Sequence, residues 1–188
     1  QTARYRLGEI YLNHLEKYAK AAAFYGELAL KDPKHKLADS SIYFQGEAFF
    51  KLKAYQKSTA SYTSLLEKYG ESEYVAAATY SLGWSRFLSE DFEGAVKHFG
   101  TIVTKFPKEE TVAECHYKMA EALFNLKKFQ EAHDAYAQVV EKYKSEYTDD
   151  SYLGRARSLF ELDKKEAAAA LFLETAGKFP KTEIAAVA

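Results

Sequence analysis

Residues Tyr80 to Gly100 read YSLGWSRFLSEDFEGAVKHFG and place a glycine, Gly83, inside an otherwise helical pattern. Glycine costs roughly 1 kcal/mol against alanine in a helix interior, so some packing gain has to offset it. Apolar residues recur at helical spacing through Tyr80, Leu82, Trp84, Phe87 and Leu88, and the polar turn Ser89-Glu90-Asp91 follows. A second apolar pattern runs from about Phe92 to Phe106 and ends at Pro107, because the residue before a proline is pushed out of the helical region. The stretch therefore predicts a helix, a turn and a second helix. Downstream, Thr111 and Glu114 have the spacing of a capping box for the next helix.

The same pattern recurs along the chain. RLGEIYL around Gly8, FQGEAFF around Gly46, SLGWSRF around Gly83, KMAEALF around Ala120 and RARSLFE around Ala156 align, at spacings of 38, 37, 37 and 36 residues. The second halves return in step as KAAAFYGEL, KSTASYTSL, GAVKHFGTI, EAHDAYAQV and AAAALFLET. A small residue in each first helix is matched by one in each second helix: Ala21, Ser58, Ala95, Ala132 and Ala168. This pairing predicts close approach of the two backbones, with Tyr25, Tyr62, Phe99, Tyr136 and Phe172 filling the space around the contact. One such hairpin cannot bury its apolar face alone, so the hairpins are expected to stack. The expected architecture is all-α, an α-α superhelix or solenoid of five helix-turn-helix repeats in a single domain spanning 1–188. The repeats lie at about 2–35, 39–72, 76–109, 113–146 and 149–182, and 182–188 reads as the start of a further helix in a longer array.

Composition agrees. Over 188 residues, 47% hydrophobic and 28% charged residues can support a packed core, while 9 glycines and 3 prolines are too few for a turn-rich β sandwich. A formal net charge of -1 with dispersed Lys and Arg provides no basic stripe, so a nucleic-acid partner is not expected. The lone Cys115 cannot close an intramolecular disulfide, and no apolar run is long enough to suggest membrane insertion. The chain starts at Gln1 with neither a methionine nor a signal-like segment.

The recurring Tyr80, Leu82, Gly83, Ala95, Phe99, Ile102 and Pro107 resemble the tetratricopeptide repeat, and the resemblance extends over nearly the whole chain. Departures are Arg86 in place of an aromatic, Gln45 and Arg155 in place of leucine, and Lys165 in place of the aromatic found at Tyr18, Tyr55, Phe92 and Phe129. The repeats are longer than the family's 34 residues, and their Lys-aromatic-Pro endings are similar to the variant of bacterial envelope proteins. That similarity implies a periplasmic or outer-membrane-associated setting rather than the cytoplasm.

No catalytic constellation is evident, and the protein is expected not to be an enzyme and to need neither cofactor nor metal. His14, His35, His98, His116 and His133 lie in different repeats, none at an i, i+4 spacing from another His or Cys. Cys115 and His116 are adjacent and point in different directions on a helix, so the thiol reads as inert. The glycines are explained by packing and match no phosphate-binding loop.

A binding face is better supported. Offsets of four and seven bring three rows onto one side of the first helices. One row is Tyr5, Tyr43, Tyr80, Tyr117 and Leu153; the next is Glu9, Glu47, Trp84, Glu121 and Arg157; the third is Leu12, Phe50, Phe87, Phe124 and Phe160. The family resemblance implies that this face lines a concave groove. The candidate partner-binding residues are Tyr5, Glu9, Tyr43, Glu47, Tyr80, Trp84, Tyr117, Glu121 and Arg157, with Trp84 standing where three other repeats carry glutamate. Family members that clamp a partner's terminal carboxylate use Lys and Asn on these helices, and Tyr5, Glu9, Tyr43 and Glu47 do not match them. The expected function is a scaffold that holds a protein or peptide segment in the groove. The alternative is a structural spacer or self-associating array without a groove ligand.

Overall fold

The computed structural model describes residues 1–180; the expected helix start at 182–188 lies outside the described residues. Ten α-helices make up the described chain: α1 Thr2–Asn13, α2 Tyr18–Lys31, α3 Ala38–Lys51, α4 Tyr55–Lys68, α5 Val75–Leu88, α6 Phe92–Lys105, α7 Val112–Asn125, α8 Phe129–Lys142, α9 Thr148–Glu161 and α10 Lys165–Lys178. No strand occurs among the described residues. The hairpins α1 with α2, α3 with α4, α7 with α8 and α9 with α10 pair as anticipated, and the α6 end falls one residue short of Phe106.

The chain divides into two compact units, Gln1–Asp91 with α1 to α5 and Phe92–Ala188 with α6 to α10. Within each unit every helix packs on its neighbour in sequence, and first helices of adjacent repeats also touch, α3 on α5 and α7 on α9. The third repeat contributes α5 to the first unit and α6 to the second. Gly83 and Ala95 are both buried.

The glycine positions have a sharper role than close backbone approach. A Cβ on Gly8 would lie 2.8 Å from the Tyr25 ring, and one on Gly46 would lie 2.5 Å from Cε1 of Tyr62. The aromatic of the second helix, four residues beyond the small position, lies directly on the glycine. Tyr25 and Tyr62 are fully buried there, among the largest buried side chains of the first unit. Burying an aromatic of this size contributes about 2 to 3 kcal/mol, which outweighs the helix-propensity loss of the glycine.

The turns within repeats are closed by residues whose sequence does not announce it. Glu16, Lys53, Glu90, Lys127 and Asp163 all adopt left-handed backbone, with φ between 49° and 62°. In the turn after α3, the Lys53 N–H donates to Phe50 O at 2.8 Å and the Ala54 N–H to Phe49 O at 2.9 Å. These are the two crossed bonds of a Schellman motif, which satisfies carbonyls that the helix end leaves open. Lys127 and Lys128 repeat them on Phe124 and Leu123, and Asp163 and Lys164 on Phe160 and Leu159.

The helix starts correct one expectation. Thr111 does occupy the N-cap of α7, but it makes no side-chain cap bond, so the capping box with Glu114 is not formed. Its φ of -78° and ψ of 0° are helical, whereas a capping hydroxyl reaches the next turn's amides from an extended backbone. A preceding turn does the work instead: the Val112 N–H donates to Glu109 O at 3.2 Å, as Val75 does to Ser72 and Ala38 to His35.

Two departures from the family pattern have visible partners. Half-buried Gln45 donates from Nε2 to Ala22 O at 3.3 Å and accepts from Ser61 Oγ at 3.3 Å, tying α3 to both α2 and α4. Arg86 forms an ion pair with Asp91 across the turn after α5.

Candidate functional site

The tyrosine row is built into the hairpins. Tyr5 packs edge-on against Tyr25 at 5.4 Å, Tyr43 lies 6.0 Å from Tyr62, and Tyr117 lies 5.9 Å from Tyr136. Tyr43 also stacks on Tyr74, at the N-cap of α5, with centroids 4.9 Å apart. Tyr117 stacks in the same way on Tyr147, at the N-cap of α9, at 5.0 Å. Tyr5 is only 8% exposed and belongs to the core cluster around Tyr25 and Leu28.

Six of the nine predicted residues gather into two cavities, one in each unit. In the first unit a cavity of about 420 Å³ lies between α3 and α5, lined by Glu47, Phe50, Tyr80, Ser81, Trp84 and Leu88. Trp84 is half-buried and meets Phe87 edge-on at 6.0 Å. Oε1 of Glu47 accepts from the Tyr62 hydroxyl at 2.5 Å and from Ser81 Oγ at 3.0 Å. Burial first, and then the Glu47 charge, hold the Tyr62 hydroxyl far above the usual tyrosine range. It remains a donor that fixes the carboxylate.

In the second unit a cavity of about 210 Å³ lies where α9 meets α7 and α8, with Tyr117, Glu121, Tyr136, Asp150, Gly154 and Arg157 in its wall. Glu121 accepts from the Tyr117 hydroxyl at 3.3 Å and pairs with Lys118 Nζ at 2.6 Å. The Asp150 carboxyl is raised above its ordinary value by desolvation, then by Asp149 and Glu121, against the pull of Lys118 and Arg157. This pocket is small and polar, and its Glu121 already has a base beside it in Lys118. Tyr5, Glu9 and Tyr43 line neither cavity, and Glu9 is paired with Arg6 at 2.7 Å.

Sequence reasoning missed the column that makes the cavities differ. Three residues before the Glu/Trp/Arg row stand Arg6, Phe44, Ser81, Lys118 and Gly154. Arg6 and Lys118 neutralise their own glutamates one turn on. Phe44 instead stacks on Tyr25 at 5.7 Å, and Ser81 donates across to Glu47. Gly154 leaves space: a Cβ there would lie 2.5 Å from Cζ of Tyr136, so the Tyr136 ring occupies what a side chain would fill. The signal was present as a fixed i−3 spacing, but its consequence depends on contacts between repeats.

No group of three His, Cys, Asp or Glu residues that could hold a metal ion occurs among the described residues. Cys115 is fully buried and its thiol is pushed up to about 12, chiefly by burial. A thiol at that value is overwhelmingly protonated near neutrality and is a poor nucleophile. Among the described residues, no helix is long and apolar enough to cross a membrane.

Family models of the tetratricopeptide repeat match residues 2–35 and 117–181. The chain belongs to the tetratricopeptide repeat family. Solved tetratricopeptide-like structures share its fold along nearly the whole length. MamA gives a TM-score of 0.78 at 15% identity over 96% of this chain and 92% of that one. The 41-end form of MamA from Desulfovibrio magneticus RS-1 gives 0.73 at 16% identity over 93% and 92%. YrrB, described as a TPR protein with an unusual peptide-binding site, gives 0.76 at 17% identity over 97% and 88%. Comparison with curated protein sequences gives no match. Tetratricopeptide repeats are protein-interaction scaffolds, and a protein-binding role follows for this chain at that level.

Proposed function

We propose that the chain is a non-enzymatic scaffold that holds an extended or helical segment of a partner protein along the face of its first helices, the concave face in the family. The observation that carries this reading is the convergence of six of the nine candidate residues on two cavities, one in each unit. Glu47, Tyr80 and Trp84 meet in one, and Tyr117, Glu121 and Arg157 in the other. Aromatic walls with a few fixed polar groups are what peptide recognition uses, because they bring apolar area and directional bonds together. The peptide-binding site named for YrrB lends support by analogy of fold.

A photo-cross-linking residue at position 88, at the edge of the first cavity, should capture the partner, while one at position 30, on α2, should not. The captured partner should then bind the Trp84→Ala/Tyr117→Ala variant at least about tenfold more weakly, a loss of roughly 1.4 kcal/mol, with helicity unchanged. Unchanged affinity in that variant rejects the groove.

A further inference from the structure

Glu9, Glu47 and Glu121 occupy one position of three repeats, yet their charges are treated differently. Glu9 is paired with Arg6 and Glu121 with Lys118, in each case the residue three positions earlier. In α3 that position is Phe44, whose ring is spent on Tyr25 and Tyr5. Among the described residues no lysine or arginine pairs with Glu47, not even Lys51 a turn further along α3. Its neighbours are the hydroxyls of Tyr62, Ser81 and Tyr43. Neutral donors orient a carboxylate but do not cancel its charge. A half-buried, oriented and uncancelled carboxylate therefore stands in the wall of a cavity whose other walls are Trp84, Tyr80 and Phe50.

We infer that the cavity between α3 and α5 binds a basic side chain, lysine or arginine, on a partner's segment. Glu47 serves as counter-charge, and Trp84, Tyr80 and Phe50 form the aromatic wall. A cation near aromatic faces is attracted by their quadrupoles, and the attraction grows as water is excluded. A neutral or acidic side chain would cover Glu47 and leave its charge uncompensated, which costs more than the apolar contact returns. The second cavity has no such vacancy at the equivalent glutamate, because Lys118 already pairs with Glu121. The inference rests on the groove reading and narrows it to one anchor.

The test uses the single tryptophan of the chain. Trp84 gives one indole N–H resonance in the 15N-labelled protein, to be titrated with capped tripeptides Gly-Arg-Gly, Gly-Lys-Gly and Gly-citrulline-Gly. The arginine and lysine peptides should shift it saturably, and their relative affinities identify the preferred base. The citrulline peptide, matched in shape but uncharged, should bind at least about tenfold more weakly. Glu47→Gln, which keeps the acceptor for Tyr62 and Ser81, should weaken the basic peptides by a similar factor, while Glu67→Gln, exposed on α4 and outside both cavities, leaves them within about twofold. Equal binding of citrulline and arginine by the unaltered protein, or full binding by Glu47→Gln, overturns the inference. Absence of a shift with either basic peptide also overturns it. A failure of the groove reading looks different: the partner would then be captured from position 30 and not from position 88, whatever the tripeptides do.

Discussion

The two units carry the same hairpin and unlike cavities. In the first, Phe44 and Ser81 stand where a base or a small gap stands elsewhere, and the result is an aromatic cavity of about 420 Å³ with an unneutralised Glu47. In the second, Lys118 neutralises Glu121 and Gly154 opens a polar cavity of about 210 Å³ over Tyr136. The tyrosine scaffold is shared, since Tyr43 stacks on Tyr74 at 4.9 Å and Tyr117 on Tyr147 at 5.0 Å. A repeat protein can thus vary its recognition chemistry through one column of residues while its packing aromatics stay fixed.

The largest test of that division removes the fixed part. Tyr62→Ala and Tyr136→Ala should each cost about 3 to 5 kcal/mol, because both rings are buried and their removal leaves a large void. Denaturant unfolding followed by hydrogen exchange in each unit reads the loss where it occurs. Replacement by phenylalanine separates the two. Tyr62→Phe takes the hydroxyl from Glu47 and should cost about 1 to 3 kcal/mol, whereas Tyr136→Phe should cost less, as its hydroxyl makes no hydrogen bond among the described residues. Equal losses would mean that the Glu47 contact is not the difference between the units.

Next in size are the glycines under those rings. Gly46→Ala and Gly154→Ala each push a methyl to within 2.5 Å of a tyrosine ring and should cost about 1 to 3 kcal/mol. Gly177, in α10, has nothing among the described residues within 4 Å of an added Cβ, so Gly177→Ala should be neutral or stabilising by at most about 1 kcal/mol. Thermal unfolding of the three variants checks this ordering. A loss at Gly177 equal to that at Gly46 would return the glycine signal to helix propensity alone.

These residues also show what a one-dimensional reading can and cannot reach. The ten helices were legible because the apolar period and the small-plus-aromatic pair act locally and recur in register. The turns were half legible: Ser89-Glu90-Asp91 was placed, but nothing in Glu90, Lys53 or Lys127 signals a left-handed residue, since glycine is its usual mark. Thr111 and Glu114 have the letters of a capping box, and the preceding turn denies them the geometry. For the site, Tyr80, Trp84, Tyr117 and Glu121 could be aligned on one face, yet which of them share a cavity depends on Ser81 and Gly154. Those two act on the neighbouring repeat.

A smaller effect distinguishes the units by pH. His116 is buried in α7 where α3 carries Ile42 and α5 carries Thr79, and burial, aided by Lys142, lowers its folded pKa below the ordinary histidine value. The folded state therefore disfavours the proton that the unfolded chain accepts. The neutral ring's contribution is complete above the unfolded pKa of about 6.5 and is lost as pH falls through the lower folded value. Acidification from neutrality should loosen the amide protection of α7 and α8 before that of α3 and α4, and His116→Leu should remove the difference. Identical acid sensitivity in His116→Leu and the unaltered chain would dismiss this assignment.

The smallest expected effect lies where the units ought to agree. Lys53 and Lys127 close equivalent turns in left-handed backbone, with φ of 56° and 60°, and share the same pair of crossed bonds. A side chain in that conformation costs roughly 1 to 2 kcal/mol, and glycine relieves it while surrendering part of the gain to its larger unfolded-state entropy. Lys53→Gly and Lys127→Gly should each stabilise by about 0.5 to 1 kcal/mol, a rise of roughly 1 to 4 °C in Tm for a chain of this size. Both side chains are exposed and stand outside the two cavities, so peptide binding should not change. A gain in one unit without the other would show that the turns also differ between units, and that the column at Arg6, Phe44, Ser81, Lys118 and Gly154 is not where the repeats alone diverge.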